Sequence, residues 1–387
     1  MSRETSSELS ETTGRRPTWA EIDLDALAAN LRTVRGVVGP RVQVMAVVKA
    51  DAYGHGARAC AQRLARAGAD WFAVALPEEG VELRQAGVAQ PVLCLEGFWP
   101  GQAELCLRYN LTPAVFTDDM AAALDAAARA AGTVADVHAK IDTGMGRLGV
   151  RDDAAAEFAA ALAECRHLRV TGLMTHFAAA DDPERVNFTA EQMARFRAAA
   201  QIFRAYGHDP VIEDMANSAG AFAYSAARAT MVRPGGVLYG LWRDVLPPDT
   251  GGASLRPVMR WLTRVTLVKW IDAGETLGYG CTFTAARRTR VATLPVGYDD
   301  GYRRALSNRG RVLVRGQSAP VVGRVSMDLT LADVTDVAGV AEGDVVTLIG
   351  ADGPHELPAE ELARTAGTIS YEITCGVSRR VPRVYKQ

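Results

Sequence analysis

Three features of the sequence predict an α/β fold: an N-terminal (β/α)8 TIM-type barrel followed by a second, mainly β C-terminal domain. Between residues 42 and 241, short apolar runs alternate with Ala-rich amphipathic stretches, the pattern of parallel strands separated by helices. The runs number eight, which suits a closed barrel better than the alternative, an open doubly wound sheet. After residue 244 the texture changes to short alternating segments cut by Gly and Asp, as expected of antiparallel strands.

Taken in order, residues 1–16 are rich in Ser, Thr and Glu with nothing apolar recurring, and read as a flexible leader. The expected barrel strands are 42–48, 71–76, 91–95, 112–116, 135–141, 170–176, 211–214 and 230–241. Helical periodicity falls between them, as at 78–86, 120–131, 154–166 and 187–205. The Pro- and Gly-bearing linker 246–254 leads to β segments at 262–268, 290–295, 312–315, 319–325 and 345–349.

Composition bounds the function. The chain has 387 residues, 48% of them apolar, enough for a large core. Lys plus Arg number 43 against 45 Asp plus Glu, so the net charge of −2 gives no general attraction for nucleic acid or an anionic membrane surface. No long uncharged apolar run marks a membrane span, and the polar N-terminus is not a secretory signal. Six cysteines without C-x-x-C spacing argue against a disulfide framework or a zinc site and fit small buried hydrophobes. The expectation is a cytoplasmic protein with no metal, no membrane and no nucleic-acid partner.

The first expected strand ends in Lys49, within Ala46-Val47-Val48-Lys49-Ala50-Asp51-Ala52-Tyr53-Gly54-His55-Gly56. Functional groups of a barrel gather at the carboxyl ends of its strands. A lysine there, following a buried run, is partly desolvated, which lowers its pKa and frees the amine for covalent chemistry. Taken alone it fits equally a lysine that snorkels to water.

The whole string closely resembles the pyridoxal-phosphate attachment motif of bacterial alanine racemases, fold-type III enzymes. The resemblance runs from Thr18-Trp19-Ala20-Glu21-Ile22-Asp23, like that family's opening strand, to Arg383. It implies that Lys49 holds pyridoxal 5′-phosphate and that Tyr53 bonds its phosphate. It assigns 24–245 to the cofactor-binding barrel, and 17–23 plus 246–387 to a β-rich domain that contributes to the partner subunit's active site. In Lys140-Ile141-Asp142-Thr143-Gly144-Met145-Gly146-Arg147, the resemblance makes Arg147 a ligand of the cofactor's phenolic oxygen. Lys140 becomes a lysine open to carbamylation, since a carbamate beside a guanidinium is an attractive pair and an ammonium is not. An unmodified Lys140 paired with Asp142 or a helix end is the alternative.

Further strings extend it. His176, in Thr175-His176-Phe177-Ala178, is an orienting group. By the same resemblance Asn217, Ser218, Gly235 and Gly236 would form the phosphate cradle, and Arg233 would stand against the pyridine nitrogen, which a permanent cation keeps unprotonated. From the β domain come Tyr279 as a second base, Tyr298 and Met327 lining the substrate pocket, and Tyr371 near the phosphate. The resemblance also implies that Asp181, Arg304 and Arg324 line the entrance, while surface charges there equally fit ordinary solvated residues. Each tyrosine alone also fits a half-buried aromatic with one hydrogen bond.

Racemisation moves a proton off one face of the α-carbon and returns it on the other, which two bases on opposite sides accomplish economically. The resemblance implies such an isomerase, acting on L- and D-alanine through Lys49 and Tyr279. It further implies a homodimer with shared active sites and a supply of D-alanine for peptidoglycan. The alternatives are a racemase of the same fold with broader or serine preference, a decarboxylase of a related two-domain barrel, and a non-catalytic carrier of the cofactor. Arg233 and Tyr279 argue against the decarboxylase, and the β domain against the carrier.

Overall fold

The computed structural model describes residues 16–248, 250 and 254–387. The expected leader therefore lies outside the described residues except for Arg16, as do residues 249 and 251–253 of the linker. The chain divides into two compact units, Leu24–Arg256 and residues 16–23 with Pro257–Gln387.

The first strand, β1 (Thr18–Asp23), belongs to the second unit. In the first unit β2 (Gln43–Val47), β3 (Trp71–Val74), β4 (Val92–Cys94), β5 (Thr112–Val115) and β6 (Ala135–Asp142) follow in order, and the two-residue β7 (Val150–Arg151) lies beside β6. Then come β8 (Leu168–Met174), β9 (Ile212–Ala216) and β10 (Met231–Val232). Parallel pairing runs β2-β3-β4-β5-β6-β8-β9-β10, and β10 pairs back on β2. Eight parallel strands thus close on themselves, and the open sheet is ruled out.

Helices return the chain between strands, each with its apolar stripe buried. The helix Asp118–Ala130 hides Ala121, Leu124, Ala127 and Ala128, and its N-cap Thr117 accepts from the Met120 N–H. The eighth strand is far shorter than the expected 230–241. Pro234 has no N–H for the ladder, Gly235 takes φ −118° and ψ −93°, and a tight turn over Gly236–Tyr239 replaces the strand. Its apolar residues are buried all the same, with Tyr239 Oη donating to the Val47 carbonyl at 2.9 Å.

The first unit reaches Arg256, beyond the expected limit of 245, because Asn30 holds that end. This buried residue of helix Leu24–Val38 accepts from the Arg256 N–H at 2.8 Å and donates to the Arg256 and Leu238 carbonyls at 2.8 and 2.9 Å.

In the second unit β1 sits between Met259–Arg264, antiparallel, and Arg383–Lys386, parallel, in a seven-stranded sheet. A three-stranded sheet of Leu267–Ile271, Thr289–Leu294 and Thr330–Asp333 accompanies it. The single segment expected at 262–268 is therefore two strands. The Val265 N–H bonds Asp344 and the Thr266 N–H bonds Thr293, so the chain changes sheets between these two residues. The segment expected at 319–325 is a strand only over Gln317–Pro320. Arg16 is fixed by Asp300 and by the Asp328 carbonyl, so the last residue of the expected leader is ordered.

Asn30→Ala leaves one N–H and two carbonyls without their partner, and is expected to cost about 2–4 kcal/mol. A fall in the denaturant midpoint at unchanged slope measures it.

Candidate active site

The site follows from strand parity. Met45, Val47, Ala73, Leu93, Ala114, Met174, Ile212 and Met231 fill the barrel interior. His138 joins them against Gly172, where a Cβ would lie 2.4 Å from the imidazole ring. Because side chains alternate across a strand, the residue two positions on faces inward again, one layer nearer the carboxyl ends. Those residues are Lys49 after Val47, Lys140 after His138, His176 after Met174, Asp214 after Ile212 and Arg233 after Met231. Five chemistry-bearing side chains therefore share one layer at the mouth.

Lys49 is followed by a left-handed turn. Ala50, Asp51, Ala52 and Tyr53 all have φ between +52° and +55°, a conformation costing roughly 1–2 kcal/mol per residue. The surroundings hold it in place. Glu79 Oε1 accepts from the Ala50 N–H and Oε2 from the Ala75 N–H, both at 2.7 Å, and Asp51 accepts from the Ala57 N–H at 2.7 Å. The turn brings the Tyr53 ring 4.9 Å from that of Tyr239 and its hydroxyl to Gly235, where a Cβ would sit 2.3 Å from the oxygen. A larger residue there would push the Tyr53 hydroxyl aside. Burial lowers the Lys49 pKa; Glu96 and Glu79 oppose the shift, Arg147 and Arg233 add to it.

Lys140 is buried, and its ammonium donates to the Leu95 carbonyl at 3.1 Å. Burial, then Arg233, Arg147 and Lys49, bring its pKa down to about 8. Asp142, the alternative partner, instead accepts from the Gly144 and Gly146 N–H groups at 3.0 Å. It shapes the loop that carries the exposed Arg147.

Arg233 is almost wholly buried. Its Nη2 donates to the Thr175 carbonyl at 2.8 Å and to His176 Nδ1 at 3.1 Å, and its Nη1 forms an ion pair with Asp214 Oδ2. His176 is held well below its usual range by burial and by these cations, so it is neutral, with Nδ1 the acceptor and Nε2 carrying the proton.

Ser218 Oγ accepts from the Gly235 N–H at 2.9 Å, joining two parts of the expected cradle. Gly236 opens the turn that follows. Asn217 caps the short helix Ser218–Ala223, its Oδ1 accepting from the Gly220 N–H at 2.9 Å. Asp181 is exposed after β8.

The remaining expected residues lie in the second unit. Tyr279 is 72% exposed on a tight turn between Gly278 and Gly280, both with positive φ, and Met327 and Tyr298 are 52% and 42% exposed. The Arg324 guanidinium lies beside Gly280, where a Cβ would be 3.3 Å away. Arg304 is exposed, and Tyr371 is half-buried in helix Ser370–Gly376.

Three residues escape sequence reasoning. Asp214 is the counter-charge of Arg233, and Glu79 anchors the turn after Lys49. Buried Gln192 donates to Thr143 Oγ1 and the His176 carbonyl and accepts from the Ala178 N–H, tying together the loops after β6 and β8. An acid two residues past an inward-facing isoleucine was the available signal for Asp214.

A closed barrel with a desolvated lysine and a cationic cluster at its mouth, on a chain that continues into a β unit, defines a two-domain barrel enzyme. The chain matches the sequence families described as Alanine racemase, N-terminal domain, over residues 22–242 and Alanine racemase, C-terminal domain, over 258–385. It is 48% identical to the alanine racemase of Symbiobacterium thermophilum, covering 96% of this chain and 98% of that one. Among solved structures it resembles alanine racemase from Streptomyces lavendulae, with TM-score 0.91, 36% identity and coverage of 96% and 97%. It also resembles the Bartonella henselae enzyme, solved with covalently bound pyridoxal phosphate, with TM-score 0.85, 30% identity and coverage of 96% and 99%. The chain belongs to the alanine racemase family, whose activity is the racemisation of alanine. No helix among the described residues is long and apolar enough to cross a membrane.

The lowered pKa of Lys140 has a linkage consequence. Between about 8 and 10.5 the unfolded chain holds more protons than the folded one, so the amine's burial penalty is full below pH 8 and fades as pH rises. In the cofactor-free protein, Lys140→Met is expected to melt higher than wild type at pH 7, and the advantage should shrink steadily by pH 10.

Proposed function

We propose that this chain interconverts L- and D-alanine with pyridoxal 5′-phosphate held covalently by Lys49, using Lys49 and Tyr279 as the two bases of a cytoplasmic homodimer, and that it supplies D-alanine for peptidoglycan. The observation that carries the reading is the convergence of Lys49, Lys140, Arg147 and Arg233 on the barrel mouth, where burial and the two guanidiniums lower the pKa of both lysines.

The cofactor's chemistry suits this donor set. Four cationic groups face the buried carboxylate of Asp214, with Glu96 and Glu79 near Lys49, and the small positive excess that remains suits an anionic phosphate. Gly235, kept bare beneath the Tyr53 hydroxyl, supports a phosphate cradle of Tyr53, Ser218 and Gly236, with Asn217 fixing the helix start and Tyr371 completing it. When bound, pyridoxal 5′-phosphate withdraws electrons from the α-carbon of an attached amino acid and so loosens its proton.

The protein's own groups do the rest. Lys49, desolvated and therefore neutral more often than a surface lysine, moves the proton on the D-specific face. Tyr279 of a second copy serves the L-specific face. Its exposure in a single chain supports an active site completed by a partner, as does that of Met327 and Tyr298. A phenol near pKa 10 needs help to act as a base. Neutral His176, with Nδ1 occupied by Arg233, keeps its Nε2 proton for the phenolate. Arg147 and the Met327 N–H bind the substrate carboxylate, while Tyr298, Tyr371 and Met327 restrict the side chain to a methyl group. Asp181, Arg304 and Arg324 line the approach. The lowered pKa of Lys140 supports its carbamylation, because the neutral amine is the form that adds carbon dioxide, and the product pairs with Arg147.

Borohydride reduction of the loaded enzyme followed by peptide mapping is expected to tag Lys49, and chiral analysis to show D- and L-alanine interconverting. A tag elsewhere, or no interconversion, overturns the reading. Tyr279→Phe should keep the cofactor and lose proton exchange from L-alanine by about 100-fold or more; two-way activity at the wild-type level removes the base assignment. For Lys140, ¹³C-bicarbonate should give a carbamate resonance that Lys140→Ala abolishes.

A further inference from the structure

We propose that Asp214 is a positioning residue for racemisation: through its ion pair it fixes the Arg233 guanidinium against Thr175 and His176 and offsets one of the positive charges crowded at the barrel mouth. This rests on the reading of Arg233 as the group that faces the cofactor's ring.

The placement is built by pairing and parity. Asp214 stands opposite Met231 on neighbouring parallel strands, a register shift follows, and the Arg233 N–H bonds the Ala216 carbonyl at 2.8 Å. The shift carries Arg233 one step along its neighbour, so its side chain reaches back over Asp214, with Nη1 against both the carboxylate and, at 3.4 Å, the Asp214 carbonyl. The guanidinium is thus held on its Nη1 side by Asp214 and on its Nη2 side by Thr175 and His176. A planar fork gripped at both ends has one orientation.

The carboxylate has no other evident duty. Both residues are buried, and neither oxygen of Asp214 receives a further hydrogen bond among the described residues. A buried acid satisfied by one partner serves that partner. Without it Arg233 would keep three neutral acceptors but no counter-charge, beside Lys49, Lys140 and Arg147. An uncompensated cation there would be free to swing toward any anion in the mouth, the cofactor's included. With it, Arg233 meets the ring as an oriented donor, and His176 accepts from a fixed nitrogen.

The test is a double-mutant cycle with Asp214→Asn, Arg233→Gln and the pair, in the cofactor-loaded enzyme with D- and L-alanine. Asp214→Asn should lower kcat 10- to 100-fold, change KM less than 3-fold, and shift the visible absorption maximum of the bound cofactor. Added to Arg233→Gln, the same change should move kcat less than 2-fold and leave the spectrum alone. An equal loss of kcat in both backgrounds, or wild-type kcat in Asp214→Asn, overturns the proposal. Asp214→Glu keeps the charge but displaces it by one methylene, and guards against loss of folding. It should melt like wild type without cofactor yet lose at least 10-fold in kcat, and wild-type kcat in this variant also overturns the proposal. If the wild-type enzyme itself fails to interconvert the enantiomers, the proposed function falls too; if only the variants behave like wild type, this inference falls alone.

Discussion

Like-charge crowding in a desolvated layer governs the barrel mouth. Two amines and the buried Arg233 guanidinium influence one another where water is largely excluded, with the exposed Arg147 adding its charge from the rim, and repulsion within the layer is far stronger than at the surface. The fold relieves it in the ways open to each group. Lysines can lose their protons, and both have lowered pKa values. Arginine cannot, so Arg233 takes a carboxylate and three neutral acceptors. Histidine stays neutral, which is what lets it accept from Arg233. What remains is an appetite for anions, the electrostatic basis of the proposed cofactor and substrate binding.

The crowding is possible because the layer is rigid. Lys140 and Asp214 stand on strands, and Lys49, His176 and Arg233 follow within two residues of a strand's end, so the barrel places them more firmly than a long loop could. The loops that carry the remaining groups are tied back by buried polar residues. Thr143 and Thr175 share a hydrogen bond of 2.8 Å, Gln192 bridges the same two loops, and Glu79 caps the strained turn after Lys49. These bonds offset a left-handed run that an isolated peptide would not keep.

The sequence made the repeating part of this legible. Eight apolar runs alternating with helical stretches are a barrel's signature, and the attachment motif points to Lys49 and Tyr53. The eighth run was overextended because Val232, Val237, Leu238 and Leu241 are buried as strand residues would be, and hydrophobicity alone does not distinguish a buried turn from a buried strand. The change of sheets between Val265 and Thr266 was hidden for a related reason, since alternation continues through it while the partners do not. Asp214 and Gln192 were illegible because their roles exist only between elements: an acid on β9 finds its arginine one residue beyond the end of the next strand, and a glutamine in the helix Val186–Ala205 finds two strand-end loops. Asn217 was read as part of the cradle, and its side chain is occupied as a helix cap, a role its residue type equally favours.

The second unit presents its expected functional residues differently, on loops, exposed, yet firmly held. Buried Asp300 accepts from the Gly297 N–H at 2.9 Å and pairs with Arg16, while Arg380 bridges Asp299 and Asp328. The Tyr298 N–H donates to Ser326 at 3.0 Å and the Asp299 N–H to Met327 at 3.1 Å, so the two loops lie back to back. A Cβ on Gly297 would stand 2.3 Å from the Met327 carbonyl, so only glycine permits the approach. Ordering a large apolar side chain in water brings little gain for a single chain. It becomes useful when another surface closes over it. Under the proposed mechanism that surface is a second copy's, and assembly brings the phenol presented by one subunit to the His176 of the other, whose Nδ1 is already taken by Arg233.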